Sequence, residues 1–193
     1  MIYFCSDLHF QHRRILEYCP GRPFSSLDEM NAGLVRNWNS VVGKDDLVFF
    51  LGDFAFQVND KMEEHKETVR QLNGSVVMIP GNHDSPKKLR EMGFKYIASE
   101  AYVTIDGIVL WLNHFPLVNS TERDEARPDC KRPKAQRDYD YVLHGHSHNT
   151  RDKILTKDNW GKVVGADIGV DGRYDQGCTP WAWDELKDVI LNG

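Results

Sequence analysis

Short apolar runs separated by polar stretches set the rhythm of the first half of the chain. Ile2 to Cys5, Leu47 to Leu51 and Val76 to Ile79 read as buried strands. Between them, Ser26 to Val41 and Asp60 to Leu72 have helical character, the first opening with a cap and an acid three residues on at Ser25 and Asp28. This alternation predicts βαβ units at the front of the molecule.

Beyond Asp84 the pattern changes. A short helix is expected from Pro86 to Met92, then strands Tyr102 to Ile105 and Ile108 to Leu112 joined by Asp106-Gly107, a hairpin pair. Further strands are expected at Tyr141 to Leu143 and Val163 to Ile168, and a last helix from Trp183 or Asp184 to Leu191. The second half therefore reads as more antiparallel than the first. Asn119 to Asp140, rich in charge, reads as one long loop. Together the elements predict a pair of packed sheets with helices outside, in one domain spanning 1–193.

Composition narrows the function only slightly. Hydrophobic residues make up 40% and charged residues 27%, ordinary values for a globular protein. A net charge of −5 argues against tight non-specific binding to nucleic acid, which depends on neutralising many phosphates. Cys5, Cys19, Cys130 and Cys178 form no CxxC pair and follow no secretory leader, so reduced cysteines in a cytoplasmic protein are expected. No apolar run is long enough to span a membrane.

The chemistry is concentrated where the apolar runs stop. The first exits into Ser6-Asp7-Leu8-His9, and in an extended chain Asp7 and His9 face the same side. The second ends Gly52-Asp53, and the third ends Gly81-Asn82-His83-Asp84. Ligands bind at that carboxyl edge in open α/β sheets. An Asp or Asn capping a helix would explain one such residue, but not three in succession. Asn113-His114 and His144-Gly145-His146-Ser147-His148 end later runs, and every histidine except His65 lies in or beside one of these ends. His144, alternating with its strand, reads as a hydrogen-bonded interior residue. Asp7, Asp53, Asn82, His9, His114, His146 and His148 offer nitrogen and oxygen donors without thiolate. Such a set suits manganese, iron, zinc, nickel or cobalt rather than calcium. It exceeds what one open catalytic metal needs and suits two ions sharing a bridging carboxylate.

DxH, GD, GNHD, a single later His and GHxH, in that order over residues 7 to 148, resemble the calcineurin-like metallophosphoesterases. The resemblance implies a four-layer α-β-β-α sandwich of two mixed sheets flanked by helices. It also implies two divalent ions, manganese foremost, with Asp7, His9, Asp53 and His148 at one and Asp53, Asn82, His114 and His146 at the other. Asp53 is then the bridge. His83 is implied to stabilise the developing charge or protonate the leaving oxygen, with Asp84 orienting it. The implied reaction is phosphoester hydrolysis by a metal-bridging hydroxide, without a covalent enzyme intermediate.

The relatives that this chain resembles begin SDLHFxH, which favours His12 near the site, and Arg13 or Arg14 as a contact for a substrate phosphate. Those relatives often carry Gly where Gln11 stands and Asn where Arg14 stands. Asp167 occupies the place of Asn in an NxGVD-like strand; Asp167 and Asp171 read as structural. Lys131, Arg132, Lys134 and Arg137 read as a solvated face, and Trp181 and Trp183 as packing against the sheet. The expected partner is a small phosphoester, nucleotide-like or otherwise. The alternatives are a nuclease on single-stranded nucleic acid, a protein phosphatase, or a metal-stabilised binding module.

Overall fold

Strands that are apolar on both faces need partners on either side and a cover above and below. In the computed structural model of the chain, β1 (Ile2–Cys5), β2 (Leu47–Phe50) and β3 (Ser75–Met78) meet that need as adjacent parallel strands, with Phe4 beside Phe49 and Cys5 beside Phe50. Residues 1–116 and 135–193 are the described part of the structure. Helices α1 (Ile15–Tyr18), α2 (Leu27–Val41), α3 (Met62–Gln71) and α4 (Pro86–Met92) connect these strands and lead to a short parallel edge strand, β4 (Tyr96–Ile97). At the other edge β10 (Trp181–Ala182) pairs antiparallel to β1.

The second sheet runs β5-β6-β7-β9-β8, formed by β5 (Ala101–Ile105), β6 (Ile108–Leu112), β7 (Tyr141–His144), β8 (Leu155–Lys157) and β9 (Val163–Asp167). The antiparallel expectation holds for β5-β6 and β8-β9, but β6, β7 and β9 are mutually parallel. Parallel neighbours need a long crossover, and the connection between Leu112 and Tyr141 supplies one. Both sheets are thus mixed, as expected. Most of the polar stretch 119–140, with Cys130, Lys131, Arg132 and Lys134, lies outside the described residues; Arg137 rests its guanidinium 5.7 Å from the Tyr102 ring.

Two cores follow from this layering. Helix α2 lays Met30, Leu34 and Trp38, at helical spacing, on Cys5, Val48, Phe50 and Met78 of the first sheet. The opposite faces of β1 and β2 send Phe4, Phe49 and Leu51 toward Leu110, Leu112, Leu143 and Ala166 of the second sheet. The last helix, α5 (Trp183–Asn192), adds Leu186 and Ile190 to that inner core and touches β1, β9 and β10.

Boundary details differ from the pattern in one instructive place. The cap of α2 is Ser26, whose hydroxyl accepts from the Glu29 N–H at 3.2 Å, rather than Ser25 paired with Asp28. Ser25 instead donates its N–H to the Glu29 carboxylate at 2.8 Å. The Asp106-Gly107 hairpin forms as expected, with φ 53° and 79°, the left-handed pair of a type I′ turn. Trp181 and Trp183 do pack, both in the inner core, with the guanidinium groups of Arg173 and Arg151 over the Trp181 ring at 4.4 and 4.6 Å.

Candidate metal centre and its cleft

All the motif residues lie just beyond the carboxyl ends of parallel strands: Asp7 and His9 after β1, Asp53 after β2, Asn82 after β3, His114 after β6, and His146 and His148 after β7. They do not reach the site by extended-chain alternation. Asp7, His9, Asp53, His146 and His148 have φ of 60°, 54°, 57°, 70° and 53°, in the left-handed region that non-glycine residues seldom occupy. Such strain persists only where surrounding contacts impose it. Here the first two loops are zipped together, Asp7 N–H to Gly52 O at 2.9 Å, His9 N–H to Asp53 O at 3.1 Å and Phe10 N–H to Phe54 O at 2.9 Å.

Asp84 belongs to that framework. Its carboxylate accepts from the N–H of Asp53 at 2.7 Å, Gly81 at 2.9 Å and Phe54 at 3.3 Å. It therefore braces the Asp53 turn. Gly81 and Gly145 allow the loops to close: a Cβ on Gly81 would lie 2.2 Å from Asp53 Oδ1, and one on Gly145 would lie 2.4 Å from Asp7 Oδ2.

The motif residues form two groups of donor atoms, Asp7–His9–His148 and Asp53–His114–His146, each with its atoms within 4.8 Å of one another, and Cys19, His148 and Asp171 form a third that shares His148 with the first. Asn82 Oδ1 joins the second group, 3.1 Å from His114 Nε2 and 2.9 Å from His146 Nδ1. Asp53 stands between the groups, with Oδ2 3.6 Å from His9 Nε2 and 3.5 Å from His114 Nε2. His9 is 2% exposed, and neither of its ring nitrogens has a hydrogen-bond partner among the described residues. An uncompensated buried imidazole costs free energy, and a cation accepting its lone pair removes the share of that cost due to one of the two nitrogens. The donor set therefore fits divalent metal.

Burial works against neighbouring charge throughout the site, and at Asp7 and His9 it prevails. It pushes the Asp7 carboxyl up to about 6, even though His148 and His114 draw it down. It lowers His9, favouring the neutral ring that a metal ligand must be. At His114 burial is outweighed by the Asp53 carboxylate, which raises the imidazole to about 9.

Several supporting residues carried no sequence signal for this role. Arg22, in the turn Gly21-Arg22-Pro23, is fully buried and donates to Asp171 and to the carbonyls of Asp7 and Leu8. Asp171 meets His148 Nδ1 at 2.6 Å. Asp167 accepts from the N–H of Asn149 at 3.0 Å and of Gly169 at 2.8 Å, tying the loop after β7 to the end of β9. Both aspartates are structural, as expected, but what they brace is the site. His144 is an interior residue, bonded to Thr156 Oγ1 at 2.9 Å.

Five of the donors, His9, Asp53, Asn82, His146 and His148, line a cleft of about 640 Å³, whose walls include His12, Arg13, Arg14, Tyr18, Phe56 and His83. The His12 ring stacks on Phe56 at 4.2 Å, and burial lowers it to about 4, so it is neutral near pH 7. Arg14 lies 4.9 Å over the Tyr18 ring at the rim. His83 is at the mouth, its side chain 37% exposed and its Nε2 4.0 Å from Asp53 Oδ2.

The model of the calcineurin-like phosphoesterase superfamily domain matches residues 1–164. An uncharacterized protein of Methanocaldococcus jannaschii is 38% identical over 147 residues, 76% of this chain and 69% of that one. The gene 66 protein of Mycobacterium phage L5 is 26% identical over 193 residues, covering 86% of this chain and 90% of the phage protein. A solved structure of a protein of unknown function from Aquifex aeolicus has a TM-score of 0.75 at 26% identity, over 98% of this chain and 99% of that one. Motif order, two-sheet fold and family match coincide, and the chain belongs to the calcineurin-like phosphoesterase superfamily.

Proposed function

We propose that the protein hydrolyses a small phosphoester with two divalent ions, manganese foremost, held by Asp7, His9, Asp53 and His148 and by Asp53, Asn82, His114 and His146. The observation that carries this reading is the meeting of two donor groups at one carboxylate, Asp53, on the floor of an open cleft. Two bound ions would polarise phosphoryl oxygens and lower the pKa of water, supplying the nucleophile at neutral pH.

The chain's own residues do the rest. Asp53 fixes the spacing of the two groups, and its Oδ1 accepts the His83 N–H at 3.0 Å, which sets His83 beside the reaction centre. From the mouth of the cleft, His83 Nε2 is placed to stabilise charge on the phosphoryl group or hold a proton for the leaving oxygen. Arg13 and Arg14 line the entrance beside the neutral His12, and the two guanidinium groups favour an anionic substrate. The cleft's volume suits a molecule the size of a nucleotide. Cys5, Cys19 and Cys178 are free and buried, which supports a reducing, cytoplasmic setting.

The test is turnover by metal-stripped protein resupplied with manganese, nickel, magnesium or zinc, on a phenyl phosphodiester, a phosphomonoester and cyclic nucleotides. Single-stranded DNA, RNA and a phosphopeptide complete the panel. Metal-dependent cleavage of a small ester is expected, and metal-independent activity or none would sink the proposal. His83→Ala is expected to keep both ions and lose at least ~100-fold in kcat. Wild-type turnover in that variant would remove His83 from the reaction.

A further inference from the structure

Arg22 is a charged residue sealed in the interior: its side chain and that of Asp171 are each 0% exposed. The guanidinium holds Asp171 by both edges, Nε to Oδ1 at 2.8 Å and Nη2 to Oδ2 at 2.9 Å. It also holds the backbone of the first motif, Nη2 to Asp7 O at 2.7 Å and Nη1 to Leu8 O at 2.9 Å. The Leu8 carbonyl belongs to the peptide bond that leads into His9. Asp171 passes the constraint on, its Oδ2 lying 2.6 Å from His148 Nδ1. With the carboxylate as acceptor Nδ1 is the donor, and the ring is held with Nε2 facing Asp7, whose Oδ1 is 3.9 Å away.

One guanidinium therefore touches the support of Asp7, His9 and His148 together, and these are the residues of one donor group. The other group has supports of its own, His114 Nδ1 bonding to Leu51 O at 2.6 Å and Asn82 lying between His114 and His146, and meets the first where the His146 N–H donates to the Asp7 carboxylate at 3.1 Å. The Arg22 side chain makes no hydrogen bond there; its partners among the described residues are Asp7, Leu8, Met30 and Asp171.

We propose that Arg22 and Asp171 are positioning residues for the Asp7–His9–His148 ion more than for its neighbour, so that the two ions of the centre depend unequally on this pair. The inference rests on the two-metal reading above. A merely structural ion pair would lower both affinities together when broken; a positioning pair lowers one more than the other.

The experiment titrates Mn²⁺ into metal-stripped full-length protein, reading free ion and Mn–Mn spin coupling by electron paramagnetic resonance, with calorimetry for stoichiometry. Wild type is expected to take up two coupled ions. Arg22→Met strands the Asp171 carboxylate, so Asp171→Asn and Arg22→Lys accompany it; the lysine keeps charge but cannot fork. In Arg22→Met and Asp171→Asn, one ion is expected to bind about 10–100-fold more weakly and the other to weaken much less, with coupling lost at limiting Mn²⁺. Arg22→Lys is expected to fall between them and wild type. Should Arg22→Met not fold, the other two variants decide. Equal weakening of both ions, or none in either, overturns the proposal. If wild type itself binds no pair, the two-metal reading fails; if it binds two and the variants match it, only the role of Arg22 and Asp171 fails.

Discussion

At Asp53 the backbone sits at φ 57°, with its side chain between two groups of donors, so one residue carries both a conformational and a chemical demand. Asp and Asn tolerate the left-handed region better than other side chains, whereas a β-branched residue there is strained. Asp53→Asn is therefore expected to fold but to bind metal poorly, having lost the bridging charge. Asp53→Val is expected to be a further ~1–3 kcal/mol less stable than Asp53→Asn in urea unfolding of metal-free protein. Equal stability of the two would mean that the turn is not under the strain inferred. Residue type was legible in the sequence because the chemistry dictates it; backbone conformation was not, since five left-handed residues in three loops leave no spacing signature. The cysteines make a second case. Burial pushes Cys178 up to about 12 and raises Cys5, so neither is a thiolate at pH 8. Peptide mapping after N-ethylmaleimide treatment should find both unmodified in native protein and modified in denaturant; rapid native labelling would contradict their burial.

Elements were legible in proportion to their length. Helix α2 and the central strands have enough residues to show a period, while β4 and β10, of two residues each, exist only because a neighbouring strand offers an edge. The parallel order of β6, β7 and β9 depends on a crossover, whose path local patterning does not encode. Where elements hand over to the site, glycine acts in two separable ways. Gly81 is needed for space: an added Cβ would meet Asp53 Oδ1 at 2.2 Å, Asp53 N at 2.7 Å and His114 Cε1 at 2.8 Å. Gly107 has nothing within 4 Å but sits at φ 79°. Gly81→Ala is accordingly expected to weaken Mn²⁺ binding by at least ~10-fold through displaced ligands. Gly107→Ala should cost about 1–2 kcal/mol of stability and leave Mn²⁺ affinity unchanged. Wild-type affinity in Gly81→Ala would show that the loops can part without moving the donors.

For the molecule as a whole, the decisive fact is that neither sheet owns the centre. Asp7, His9, Asp53 and Asn82 come from loops of the first sheet, and His114, His146 and His148 from loops of the second. The apolar inner core joins the sheets without direction, whereas ligands around shared cations would join them at fixed points. Bound metal should therefore stabilise the native state by linkage, about 2.7 kcal/mol per site at an ion concentration 100 times its Kd. For a chain of 193 residues this corresponds to a rise of roughly 5–10 °C in Tm per occupied site. Thermal unfolding followed by circular dichroism is expected to show that rise with Mn²⁺ and its reversal by a chelator. Asp53→Asn should show less than half of it, because the lost carboxylate serves both groups. A Tm indifferent to Mn²⁺ in the wild-type protein would mean that the donors of the two sheets do not share an ion in solution, however close they stand.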